Sequence, residues 1–129
     1  MRRIVTDDRV ARFVESRYGG KFVPPFSCAG VEVGGDVIGG AVFNVFTGQD
    51  IHMSAAGEPR AWSRGFLRAI GIYVFRQLGC ARITVITEQP AVAALAERLG
   101  GKIEGVKRDH FGQGRDAIMI GILAGEWRF

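Results

Sequence analysis

Apolar residues recur along this chain with two different periods, and the switches between them delimit its elements. Val10, Phe13 and Val14 lie on one face of a predicted helix over residues 7–18, with Thr6 placed to cap it, Asp7 and Asp8 at its electropositive end and Gly19 to stop it. The next stretch, KFVPPF, cannot be regular structure, because two successive prolines remove backbone donors and restrict the residue ahead of them. Residues 27–33 and 37–46 are rich in apolar and β-branched side chains around Gly34-Gly35-Asp36, which predicts an antiparallel hairpin with a Gly-rich tip. A second turn at 47–50 leads to a short strand at 51–55, so three antiparallel strands are expected in sequence order. Leu67, Ile70, Gly71, Val74, Phe75 and Leu78 then recur at helical spacing, with Ser63 as cap and Gly79 as stop. Phe66, Ile72 and Tyr73 make the other side of that helix apolar as well, so it is expected to be buried. The run RITVIT, 82–87, is a strand that completes a right-handed βαβ unit with parallel strands. Pro90 opens a helix with Val92, Leu95, Ala96 and Leu99 inward and Gly100 beyond its end, and strands at 102–108 and 117–123 close the chain around the turn 111–115.

This order predicts an α/β fold, a mixed antiparallel and parallel sheet flanked by helices. The 129 residues suit one domain spanning 1–129, and 47% apolar with 23% charged residues excludes disordered and collagen-like classes. No apolar run approaches the roughly 18 residues of a membrane span, and MRRIVTDDRV lacks the apolar core of a signal peptide, so a cytoplasmic protein without a membrane partner is expected. Cys28 and Cys80 stand far apart with no His nearby, which signals neither a disulfide framework nor a metal site; both read as packing thiols. The net charge of +4 favours an anionic partner. Lys21, Lys102 and Lys107 are the only lysines, so 14 of the 17 basic residues are Arg. Their scatter argues against nucleic acid, whereas the planar Arg fork suits the phosphates of a cofactor.

Two stretches carry a family resemblance. QPAVAALAERLGG, 89–101, followed by Glu104-Gly105 and Arg108, is similar to the C-terminal half of the GCN5-related N-acetyltransferases, whose form is N-x-x-A-x-x-L-x-x-x-L-G-F and then E-G-x-x-R. Leu95, Leu99, Gly100, Glu104, Gly105 and Arg108 match in register; Gln89, Val92 and Gly101 replace the Asn, Ala and Phe. AWSRGFLRAIGIYVFRQLGCARITVIT, 61–87, resembles the family's pyrophosphate-binding motif, with Arg64-Gly65 keeping one Arg and one Gly of the usual pattern. The resemblance covers roughly residues 26–127 and is nearest to short phage-borne members related to the ribosomal-protein N-terminal acetyltransferases. It implies a splayed central strand pair that admits the pantetheine arm of acetyl-coenzyme A or another acyl-coenzyme A. The arm would meet main-chain amides around Met53, Ser54 and Ala55, with Gln89 reaching it from the far side. The family's Tyr acid would fall near Ala96, where no Tyr stands, which leaves water or Ser54 to protonate the thiolate.

The residues supply chemistry of their own. A helix start presents unpaired amides and a partial positive charge, so the turn containing Arg60, Ser63, Arg64, Gly65 and Phe66 is a physically sensible pyrophosphate cradle; the plain alternative is a solvated, capped helix start. His52, beside the expected gap, is the candidate general base, with a surface or hydrogen-bonded His as the alternative. Glu88 competes for that role, with a solvated strand-end carboxylate as its alternative. His110 lies in the last hairpin. Gly34, Gly35, Gly39 and Gly40 lack the Lys-Ser or Lys-Thr of a phosphate loop and read as flexible hairpin backbone. The expected activity is N-acylation by direct attack of an amine on the thioester, the acceptor being a small molecule or a protein N-terminus. The alternatives are a noncatalytic binding module or modification of a nucleic-acid base amine. Trp62, Trp127 and Phe129 are candidates for a homodimer interface.

Overall fold

The computed structural model describes residues 1–129. Its elements are β1 (Arg2–Val5), α1 (Asp8–Tyr18), β2 (Ser27–Val33), β3 (Asp36–Asn44), β4 (Asp50–Gly57), α2 (Arg64–Gly71), β5 (Arg82–Thr87), α3 (Pro90–Arg98), β6 (Lys102–Lys107) and β7 (Ala117–Leu123). The seven strands form one sheet in the order β1-β2-β3-β4-β5-β7-β6. Every neighbouring pair is antiparallel except β4 and β5. That parallel pair is joined through α2, as the βαβ reading of the sequence requires. α2 and α3 cover one face over Phe43, Ile83 and Ile120, while Val10 and Val14 of α1 pack with Val42 and Ala56 on the other. α1 lies over β2, β3 and β4 only, so no helix covers β5, β7 and β6 on its side. No helix is long and apolar enough to cross a membrane.

Several elements differ from expectation. β1 was not expected; it has four residues, only Val5 of them buried, and sits at the sheet edge, where little apolar burial is needed. The cap of α1 is Asp7 rather than Thr6, its Oδ1 accepting from the Arg9 amide at 3.0 Å. The second helix is α-helical for eight residues and then widens into a π turn over Ile72–Gln77, leaving Ile72 36% exposed rather than buried. In α3 the buried residues are Ala93, Ala96 and Leu99, while Val92 and Leu95, read as inward, are only half-buried. Gly39 and Gly40 are not flexible tips; both are buried within paired β3, where Ala61 and Val10 press on the space a Cβ would need. Cys28 and Cys80 are free and buried, as expected of packing thiols.

Candidate functional site

The sheet opens where β4 and β5 part. They pair only at Asp50↔Arg82, Ile51↔Ile83 and His52↔Thr84, although β4 continues to Gly57 and β5 to Thr87. From Met53 onward, the backbone groups of β4 that point toward β5 have no strand partner, a state that buried backbone avoids unless another group fills it. The wedge widens into a cavity of about 580 Å³, lined by Ala55, Ala56 and Gly57 of β4, by Pro59 and Trp62, and by Gln89 and one face of α3. That volume falls within the usual range for small-molecule sites. Gln89 is there as expected, but its side-chain amide donates to the Arg17 carbonyl at 3.2 Å, tying the end of α1 to the rim.

The start of α2 follows directly on Trp62, which lines the cavity. Ser63 caps it, its Oγ accepting from the Phe66 amide at 3.3 Å, and the Leu67 amide is taken by the Ser63 carbonyl. Phe66 therefore offers no free amide, and its ring is core, stacked on Trp62 at 5.7 Å. The amides of Arg64 and Gly65 remain. A Cβ at Gly65 would meet nothing within 4 Å, so no neighbouring protein atom demands glycine there; the space is free for a ligand to approach the backbone. Arg60 is engaged with Glu58 at 2.6 Å, and the Arg64 guanidinium lies 6.0 Å over the Phe129 ring. Met53 is buried under α2 and can offer only main chain, whereas Ala55 lines the cavity.

His52 occupies the apex of the wedge, at the last paired position, with its side chain on the face that α1 leaves open toward β5. Burial pushes its imidazole below the ordinary range; Asp50 opposes the shift, and the charges of Lys107, Arg82 and His110 add to it. Its Nε2 lies 4.0 Å from Asp50 Oδ2. Asp50 in turn accepts from Thr84 Oγ1 at 2.8 Å and lies 3.7 Å from Arg82, whose guanidinium also binds Glu104. Glu104 reaches Arg82 because it is the extra residue of a bulge in β6, between Ile103↔Ile120 and Gly105↔Met119. Ser54 lies two residues along β4 from His52, half-buried. Glu88 is drawn away: Arg115 holds its carboxylate and keeps it below the usual carboxylate range. His110 packs its ring against Phe111 at 4.7 Å, and Phe111 meets Tyr18 of α1 at 6.0 Å.

No family model matches the sequence, and no curated protein matches it. Solved structures do. Spermidine N-acetyltransferase from Vibrio cholerae in complex with CoA and spermine superposes with a TM-score of 0.68 at 17% identity, covering 97% of this chain and 96% of that one. The ribosomal-protein-S18-alanine N-acetyltransferase of Escherichia coli gives 0.65 at 19%, covering 96% and 94%. A GNAT-family protein of Desulfovibrio desulfuricans gives 0.69 at 16%, covering 96% and 99%. The fold is that of the GCN5-related N-acetyltransferases.

Within this GNAT fold the structure gathers His52, Ala55 and Gln89 around the wedge and leaves Arg60 and Glu88 in ion pairs of their own. It also brings in residues that sequence reasoning missed. Ala91, Ala94 and Arg98 form the wall of the cavity on α3 beside Leu95, and Arg98 donates weakly to the Trp62 carbonyl at 3.5 Å across the mouth. Their spacing of three, four and seven residues is one helix face, small and apolar except for its last member. That second apolar face of α3, beside the one buried on the sheet, was the available signal.

Proposed function

We propose that this protein is an acyl-coenzyme A dependent N-acyltransferase that transfers an acetyl or related acyl group to an amine. The early parting of β4 and β5 carries the reading. It leaves main chain of Met53, Ser54 and Ala55 without a strand partner, beside a cavity that Ala55 lines and that Gln89 and the small residues of α3 face, which supports entry of a pantetheine arm there. Arg98 on the cavity wall, with the open backbone at Gly65 and Arg64 at the nearby start of α2, would serve as the phosphate end. Bound there, an acyl-coenzyme A would supply an activated thioester for transfer to the amine. His52, whose imidazole burial pushes below its ordinary range, would accept the amine proton, and Ser54 or water would protonate the departing thiolate. The two named neighbours suggest acceptor classes, a polyamine or a protein N-terminus.

Calorimetry with acetyl-coenzyme A tests the reading. Saturable binding is expected, weakened at least about tenfold by Ala91→Trp, which fills the exposed α3 wall without touching the core, while the melting temperature stays unchanged. Absence of heat at millimolar ligand would remove the hypothesis. A second reading, a noncatalytic module of the same fold, is favoured by Ser63 occupying the Phe66 amide and by Ala96 lying buried where the family's Tyr would fall. Binding without turnover across a broad amine panel would select it.

A further inference from the structure

The chain has 13 acidic residues, yet none falls between Glu58 and Glu88, a stretch that carries Arg60, Arg64, Arg68, Arg76 and Arg82. Arg60 is paired with Glu58 and Arg82 with Glu104. Arg68 and Arg76 are exposed and make neither an ion pair nor a side-chain hydrogen bond, and Arg64 touches only the Phe129 ring. Continued α-helical winding would rotate Arg76 away from the row begun by Arg64 and Arg68. The π turn over Ile72–Gln77 advances less per residue and swings it back. As a result Arg68 and Arg76 face one hollow of about 280 Å³, together with Phe75, Trp127 and Phe129. The C-terminal tail is held on this face by the Arg128 amide bonding the Leu99 carbonyl at 3.1 Å and by Trp127 lying against Gly71.

Unpaired guanidiniums along a helix, with half-exposed aromatic rings beside them, match the two demands of a single nucleic-acid strand: cations for the phosphates and flat faces for unpaired bases. A duplex would leave the rings unused, and so would an acidic peptide. We propose that the outer face of α2 and the C-terminal tail dock single-stranded nucleic acid, with phosphates on Arg68 and Arg76, Arg64 at the margin, and a base on Phe129. The scatter of arginines in sequence concealed this, because the helix and its π turn do the gathering. The surface is separate from the wedge and shares only Arg64 with it, so it stands whether or not acyl-coenzyme A binds.

Fluorescence anisotropy of a labelled oligothymidylate of about 12 nucleotides tests the proposal, in the absence of acetyl-coenzyme A. Micromolar binding is expected at about 50 mM salt, with log K falling against log salt at a slope of about −2 for three phosphates. Arg68→Gln combined with Arg76→Gln should weaken binding at least about tenfold and flatten the slope to about −0.7. Phe129→Ala should cost about fivefold or more and leave the slope unchanged, a signature of lost stacking rather than lost charge. Arg12→Gln with Arg108→Gln, removing the same charge from exposed sites elsewhere, should change little. The proposal is overturned if that control weakens binding equally, if polyglutamate or a duplex of the same length binds as well, if coenzyme A displaces the strand, or if no binding is seen.

Discussion

His52 is the residue on which catalysis would turn. The last pairing position before the strands part places it at the apex, and burial is the largest influence on its imidazole, so the neutral form persists to lower pH than in a free side chain. Because the neutral form is the proton acceptor, kcat/KM is expected to rise through an inflection below about pH 6.5 and then level off. His52→Gln should lower kcat by about 10²- to 10⁴-fold and erase the inflection. Glu88→Gln should stay within about threefold, because its carboxylate is committed to Arg115. A profile over pH for the three proteins decides this, and the reverse ranking would hand the role of base to Glu88. The place of His52 was legible from the sequence, because residues 51–55 read as the strand that precedes the central helix and borders the expected gap. The pairing that sidelines Glu88 was not, since Arg115 is 27 residues away and is brought over by the fold of the last hairpin.

Elements were readable where periodicity and punctuation agree. Pro90 opens α3, Gly79 with φ +71 closes the π turn, and the Gly34-Gly35 pair forms the β2–β3 turn with φ of +58 and +90. Reading failed where one residue type serves two physical ends. Glycine signals a turn by its backbone freedom, but Gly39 is there for lack of a side chain: a Cβ would sit 2.5 Å from that of Ala61 and 3.2 Å from the Cα of Gly57. That close approach brings the turn after β4 down onto β3 and so sets the wall of the cavity. Gly39→Ala is therefore expected to destabilise by about 1–3 kcal/mol through overpacking, measured by urea unfolding. Gly65→Ala, at an exposed helix start with nothing to strike, should be neutral or stabilising by up to about 1 kcal/mol while weakening phosphate binding. Equal costs at the two sites would mean that backbone freedom, not space, explains Gly39. The wedge was expected from the family resemblance and is present, with strand order legible from the pattern; periodicity alone did not say that pairing of β4 and β5 ends at His52↔Thr84.

At the scale of the whole molecule, charge ties the first elements to the sheet and makes stability depend on pH in one direction. Arg9 of α1 bonds Asp7 at 2.9 Å and Glu32 of β2 at 2.6 Å, and Arg3 of β1 bonds Glu32 at 2.8 Å. Hydrogen bonds from Arg9 hold the Asp7 carboxyl down at about 2, and those from Arg3 and Arg9 lower that of Glu32. Arg115 lowers Glu88, and the Leu123 amide followed by Lys102 lowers Glu126. A carboxyl lowered in the fold adds stability above its unfolded pKa, and the gain is lost as pH falls toward the folded value, because the unfolded chain then binds more protons. His52 acts with the same sign in a higher window, since the unfolded imidazole takes up a proton near pH 6.5 while the folded one resists it. The melting temperature should therefore be highest at neutral pH or above, decline gently below about pH 6.5, and fall steeply below about pH 4.5. His52→Gln should remove only the gentle decline, and Arg9→Gln should flatten the steep one, because Asp7 and Glu32 lose their shared partner. Melting curves from pH 8 down to about pH 3 check all three proteins. A melting temperature that rises from pH 7 to pH 5 would show that His52 gains its proton more readily in the fold, and with it the apex would lose the neutral base that the proposed transfer requires.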